Sequence, residues 1–301
     1  MLLLALLHLT VVALCCGQDP VSSGTNSRAA RNEAKRSVPF NQLTAETQNR
    51  LNPVLDKPSI YRRLPLTAID VDPDMFLFLV RQPEVIVNIW QLMGVTQMSV
   101  ERTAPFKFLT NDGAGAVSNV ELVYGTNNKH IYYAEGTYSG PLLRRKLKGR
   151  AVMILNTEYL YGPNGKPRTK NSLDVFLKVE NATVNLVAKT LNPIIGPTAD
   201  HNFVETLKFV QRLNETTETN GSGVQRMAYR LTNLTDEVRD QFAQIAGTVY
   251  ERGSQRTMTM KPPTAGSSRS AATEHATQHR QSQGAQGVRR TNFQDFQYGF
   301  K

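Results

Sequence analysis

The nine residues Ser172-Leu173-Asp174-Val175-Phe176-Leu177-Lys178-Val179-Glu180 alternate, with Leu173, Val175, Leu177 and Val179 in one phase and Asp174, Lys178 and Glu180 in the other. Successive side chains of a strand point to opposite faces, so this phase predicts a half-buried strand of an antiparallel sheet. The same period extends outward. Strand candidates lie at 97–108, 117–125, 129–139 and 150–161 before it, and at 182–190 after it. The separators are turn formers: Asn111-Asp112-Gly113, Asn127-Asn128, Gly140-Pro141 and Pro163-Asn164-Gly165.

Helical periods flank this block. On its N-terminal side, after the short apolar stretch 64–69, Asp72 can cap a helix that Pro73 opens, and Pro83 opens a second helix carrying Val85, Ile86, Ile89, Trp90 and Met93 up to Gly94. On its C-terminal side, a helix from Thr198 or Asp200 puts Phe203, Leu207, Val210 and Asn214 on one stripe. A further pattern from Met227 to Val249 keeps helical spacing, broken and recapped at Thr235, after Asn220-Gly221-Ser222-Gly223, which reads as a flexible joint. The fold class is α+β: a curved antiparallel sheet of about seven strands, two short helices, a long helix packed on the sheet, and an additional C-terminal helix.

The ends differ in composition from this body. Residues 2–14 are apolar except for His8 and Thr10, a length suited to a signal peptide of about 7 to 15 apolar residues and too short for the about 20 that span a bilayer. Residues 1–17 therefore read as a removable signal, which predicts export to a periplasm or to the outside. No Lys or Arg precedes the apolar run, so the start amine supplies its only positive charge or the true start lies upstream. Both cysteines, Cys15 and Cys16, fall inside that segment, which leaves the mature chain without disulfide or cysteine-zinc chemistry. Lipid anchoring is disfavoured, because Leu14 and Cys15 stand where a lipoprotein signal needs a small residue before the modified cysteine. Residues 18–59 and 251–301 read as disordered by composition, the second ending in Phe293, Phe296, Tyr298 and Phe300. The expected folded parts are 60–220 and the additional helix 224–250.

The formal net charge of +10 is confined to the flanks. Residues 64–251 hold nineteen basic and nineteen acidic residues, whereas 1–63 hold eight against four and 252–301 hold eight against two. Nucleic acid is not an expected partner of such an exported chain. An anionic envelope surface met by the basic arms is.

The run Phe76-Leu77-Phe78-Leu79-Val80-Arg81-Gln82-Pro83-Glu84, then Trp90, then Gly196-Pro197-Thr198-Ala199-Asp200-His201-Asn202-Phe203-Val204-Glu205-Thr206-Leu207, set around the strand block, resembles the START-like or SRPBCC helix-grip superfamily over about 64–219. The resemblance implies a sheet curled around the last helix and a hydrophobic ligand or lipid held between them. By that resemblance Trp90, Phe203, Leu207 and Val210 would line the site. A closed core of the same residues would have the same sequence, so both readings stay open. The additional helix after Gly223 and the long flanks depart from the family pattern.

No motif implies catalysis, a cofactor or a metal. Asp70, Asp72 and Asp74 imitate a calcium loop, but Met75 and Arg81 stand where it needs Gly and Glu, so these acids read as helix caps. His130 and His201 lie in different elements without an assignable acid or nucleophile partner. Arg144, Lys146, Lys148 and Arg150 share one face of a strand, which reads either as a solvated sheet edge or as a contact for anionic polymer or lipid. Four Asn-x-Ser/Thr sequons occur, at Asn181, Asn214, Asn220 and Asn233, and the helical phase places Asn214 toward the core. The leading expectation is an exported, non-catalytic binder of a hydrophobic small molecule or lipid. The alternative is an envelope structural or interaction protein with a closed core, acting through its basic, aromatic-ended tails.

Overall fold

The computed structural model describes residues 23–139, 146–162, 165–180 and 196–260. Among these residues eight strands form one open antiparallel sheet: β1 Ile60–Arg63, β2 Thr67–Asp70, β3 Ser99–Ala104, β4 Lys107–Asn111, β5 Ala116–Gly125, β6 Lys129–Tyr138, β7 Leu147–Tyr161 and β8 Pro167–Val179. Their order is β1-β8-β7-β6-β5-β4-β3, and β2 pairs with β8 further along the edge that β1 occupies. Among the described residues seven α-helices accompany the sheet: α1 Arg28–Arg36, α2 Ala45–Asp56, α3 Pro73–Arg81, α4 Pro83–Leu92, α5 Pro197–Thr219, α6 Gly221–Ala228 and α7 Asp236–Met260. The architecture is α+β, as the alternation of strand and helix periods predicts, and helix-grip-like, as the resemblance implies.

Two cores sit on the two faces of the sheet. The inner face contributes Val120 and Leu122 of β5, Tyr132 and Ala134 of β6, Met153 and Leu155 of β7, and Leu173 and Val175 of β8, which join the apolar sides of α3 to α7 in one cluster. The outer face contributes Ile131 and Tyr133, Val152 and Ile154, and Phe176, which pack under α1 and α2. Adjacent residues of one strand thus serve opposite cores, as the pleat requires.

The outer core corrects the reading of 18–59 as a disordered linker. Ser27 caps α1 and Thr44 caps α2, each accepting a backbone N–H three residues on. Ala30, Ala34, Leu51, Val54 and Leu55 are few, but all are buried against the sheet. Composition underestimates such a segment because its apolar side chains, though sparse, share one helical face that meets an apolar partner. The same cover corrects the half-buried reading of the strand at 172–180. Phe176 and Asp174, both in its polar phase, are as fully buried as Val175.

Three further expectations change. The strand read over 97–108 is a hairpin, β3 and β4, because Pro105 offers no ladder N–H and Phe106 takes φ 59°, the left-handed conformation of a tight turn. The joint at 220–223 is the capped start of α6: Asn220 accepts from the Gly223 N–H at 3.1 Å, and a Cβ on Gly221 would lie 2.5 Å from Tyr250 Cβ, so glycine permits the close approach of α6 to α7. Helix α7 runs ten residues past its expected end at 250, to Met260, held by Arg252 on Asp72 and Asp74 (3.0 and 2.8 Å) and by Arg256 on Glu218 (2.7 Å). Thr235 does recap this helix, its hydroxyl accepting from Val238 N–H at 3.4 Å. The expected signal at 1–17, the strand at 182–190 and the tail beyond 260 lie outside the described residues.

Candidate functional site

Helix α5 lies across the β1–β2 edge, tied there by polar contacts. The Asp70 and Asp72 backbone N–H groups donate to Gln211 and Asn214 (3.2 and 3.0 Å), and Arg62 pairs with Asp200, its Nε donating at 2.7 Å. This seating turns Phe203, Leu207 and Val210 toward the sheet. All three join Trp90 in the inner core, and the Trp90 ring meets Phe209 edge-on at 5.5 Å. The structure therefore brings the four candidate lining residues into one apolar body between sheet and helices.

At one end of that body, under the α3–α4 junction, polar side chains gather in the interior. Glu84, in the first turn of α4, is 2% exposed and receives Arg102 of β3, whose Nε donates to its Oε1 at 2.9 Å. The Arg102 guanidinium also reaches Gln82 and stacks over the Phe108 ring at 5.0 Å. Burial raises the Glu84 carboxyl above its ordinary range, against the opposing pull of Arg102, and its second oxygen, Oε2, is buried without a partner among the described residues. Tyr132 of β6 donates its hydroxyl to the Val80 carbonyl, and burial pushes its ionisation upward.

Arg81 ends α3 two residues before Pro83, and its Nε donates to His130 Nε2 at 3.4 Å. His130 is 1% exposed and lies on the inner face of β6, in phase with Tyr132. Burial, then the Arg81 charge, lowers its pKa to about 3, so the ring is neutral. Because Nε2 accepts, the proton resides on Nδ1, which is buried and unpartnered among the described residues. Burial also lowers the Arg81 pKa, while Tyr132 and Tyr159 oppose that shift. Chemically this set offers donors, two guanidinium groups and one buried carboxylate at the end of a mainly apolar interior. No acid or nucleophile accompanies His130 among the described residues, and no three His, Cys, Asp or Glu residues there could hold a metal.

Reading the sequence did not single out Arg81, Glu84, Arg102 or Tyr132 for a site. A signal was present: Arg81, Gln82 and Glu84 interrupt an apolar run from Phe76 to Trp90, and His130 falls in the apolar phase of its strand. The pairing of β3 and β6 against the α3–α4 junction is what assembles them.

The basic row lies elsewhere. Arg144 is outside the described residues, while Lys148 and Arg150 stand on the outer face of β7. This strand is central, paired with β6 and β8 over this stretch, which corrects the sheet-edge reading. Lys146 and Lys148 are exposed, but Arg150 lies 3.6 Å from Glu180, and Glu135 is its cross-strand neighbour. The row is thus interleaved with acids that the β6–β7–β8 register places beside it. On the same outer face a pocket of about 220 Å³ is lined by Arg50, Lys107, Asn119, Glu121 and Glu135 among others, and its charges pair internally: Glu121 binds Arg50 at 2.7 Å and Lys107 at 3.5 Å.

No family model and no curated protein matches this chain. Solved structures similar to it include a putative uncharacterized protein from Rhizobium leguminosarum, with a TM-score of 0.30 and 12% identity over 49% of this chain and 95% of that one. Another is the di-domain ARO/CYC protein BexL from the BE-7585A biosynthetic pathway, with a TM-score of 0.28 and 16% identity over 56% of this chain and 57% of that one. Both are likenesses of fold alone. Among the described residues, no helix is long and apolar enough to cross a membrane.

Proposed function

We propose that this protein is an exported binding protein of START-like type, which holds a hydrophobic small molecule or lipid between the inner face of the sheet and helices α3 to α5 without transforming it. One observation carries the reading: a set of buried polar groups, two of whose atoms are unpartnered, closes one end of an interior that is mainly apolar. Buried polar atoms are normally satisfied, because leaving one bare costs about 1–3 kcal/mol. A ligand with an apolar body and a polar end satisfies both parts of that interior. The apolar residues Trp90, Phe203, Leu207 and Val210 would face the body, and Arg81 and His130 the polar end.

Native mass spectrometry of the full chain, followed by organic extraction, tests this. Co-purification of a compound that dissociates on extraction is the expected result. A chain that carries nothing and gains no thermal stability from any member of an apolar-ligand panel refutes it, and would favour a closed core.

A further inference from the structure

The charges of the interior cluster do not balance, and the imbalance names a ligand class. Arg102 is matched by Glu84. Arg81 has no carboxylate partner among the described residues, its one hydrogen bond there going to a neutral imidazole. The acids at the start of α3 and on β2 and β7 are already engaged: Asp72 and Asp74 hold Arg252 at 3.0 and 2.8 Å, Asp70 holds Arg168 at 2.6 Å, and Glu158 faces Lys170 at 3.7 Å. A guanidinium does not shed its proton in a protein, so Arg81 keeps a positive charge in a partly desolvated place. Beside it, the His130 Nδ1–H is a buried donor lacking an acceptor. The two tyrosines nearby cannot serve as further donors, since Tyr132 already donates to the Val80 carbonyl and Tyr159 to the Asn127 carbonyl at 3.1 Å.

We infer that the polar end of the ligand is an anion, a carboxylate on an apolar body, recognised by the Arg81 guanidinium. This rests on the binding reading above and adds to it the ligand's charge. A carboxylate supplies the missing countercharge, is acceptor-only, and suits a planar fork of N–H donors better than a neutral ester or alcohol does. Glu84 does not neutralise Arg81, because its charge is matched by Arg102, which holds its Oε1.

Fluorescence titration of the full chain with cis-parinaric acid and with its methyl ester, two probes of one apolar body that differ in charge, tests the inference. The acid is expected to bind roughly tenfold or more tightly than the ester, Arg81→Gln to remove that difference by weakening the acid alone, and Arg81→Lys to restore part of it. The acid-to-ester ratio of the unaltered chain needs no variant, so the test survives if Arg81→Gln fails to fold. Equal binding of acid and ester would overturn the anionic end while leaving the binding reading in place. Binding of neither probe would overturn both.

Discussion

At the scale of single residues, burial decides what each charge can do. Asp174 is fully buried on the outer face of β8, where it accepts from the Tyr61 hydroxyl at 2.6 Å and from Arg63 at 2.8 and 3.2 Å. Asp174→Ala leaves a desolvated guanidinium behind and is expected to cost about 3 kcal/mol in urea unfolding, at the low end for a buried pair because Arg63 keeps Glu33 and some solvent. Tyr61→Phe should cost only about 1 kcal/mol. His130 gives a pH signature. Its folded pKa, about 3, lies below the ordinary 6.5, so the unfolded chain binds the extra proton between those values. Stability contributed by neutral His130 is full above pH 6.5 and falls as pH drops toward 3, by about 1.4 kcal/mol per pH unit within that window. Glu84, whose carboxyl is raised, works in the opposite direction above its ordinary pKa of 4.5. The comparison is therefore between the unaltered chain and His130→Gln, measured by urea unfolding from pH 4 to 7. The variant should have the shallower loss toward acid; parallel curves would show that His130 titrates in the fold as it does in the unfolded chain.

At the scale of elements, the two helices before β1 and the long helix at the end are structural members. Leu51 is fully buried between α2 and the sheet, and Leu51→Ala is expected to cost about 2–5 kcal/mol. Hydrogen exchange should show 45–56 protected to a degree near that of β7, whereas a linker would exchange at once. At the other end, two truncations separate the contribution of α7 from that of the residues beyond it. A stop after 251 removes Arg252 and Arg256 with the last turns of α7, and exposes Asp72, 1% accessible, without its cation. It should lower the melting temperature relative to a stop after 260. Strand periods and turn formers made β5 to β8 readable, and Pro73, Pro83 and Thr235 marked their helix starts. Helices α1 and α2 were hidden by composition, because nothing within 18–59 shows that an apolar sheet face waits to receive Ala34 and Leu55.

For the whole molecule, part of the excess basic charge sits on folded elements, since the basic residues of 1–63 lie in or beside α1, α2 and β1. The stretch 64–251 is neutral by count, so the formal +10 resides in the segments on either side. If those arms attach the protein to anionic surfaces, binding to phosphatidylglycerol vesicles should weaken as salt rises and fall further when 261–301 is removed; salt-insensitive binding would exclude that attachment. The sequence alone determined the class α+β, the antiparallel sheet and the helical stripe of Phe203, Leu207 and Val210, since each follows from the period of apolar residues within a short window. Only the tertiary structure decided which face of each strand has a cover and where the polar interior lies. Arg81 meets His130 across 49 positions and Arg102 meets Glu84 across 18, and local periodicity carries no information about such pairings. They arise when the α3–α4 junction packs on β3 and β6, which desolvates charges of which Arg81 and Glu84 are marked in the linear sequence only by their interruption of an apolar run.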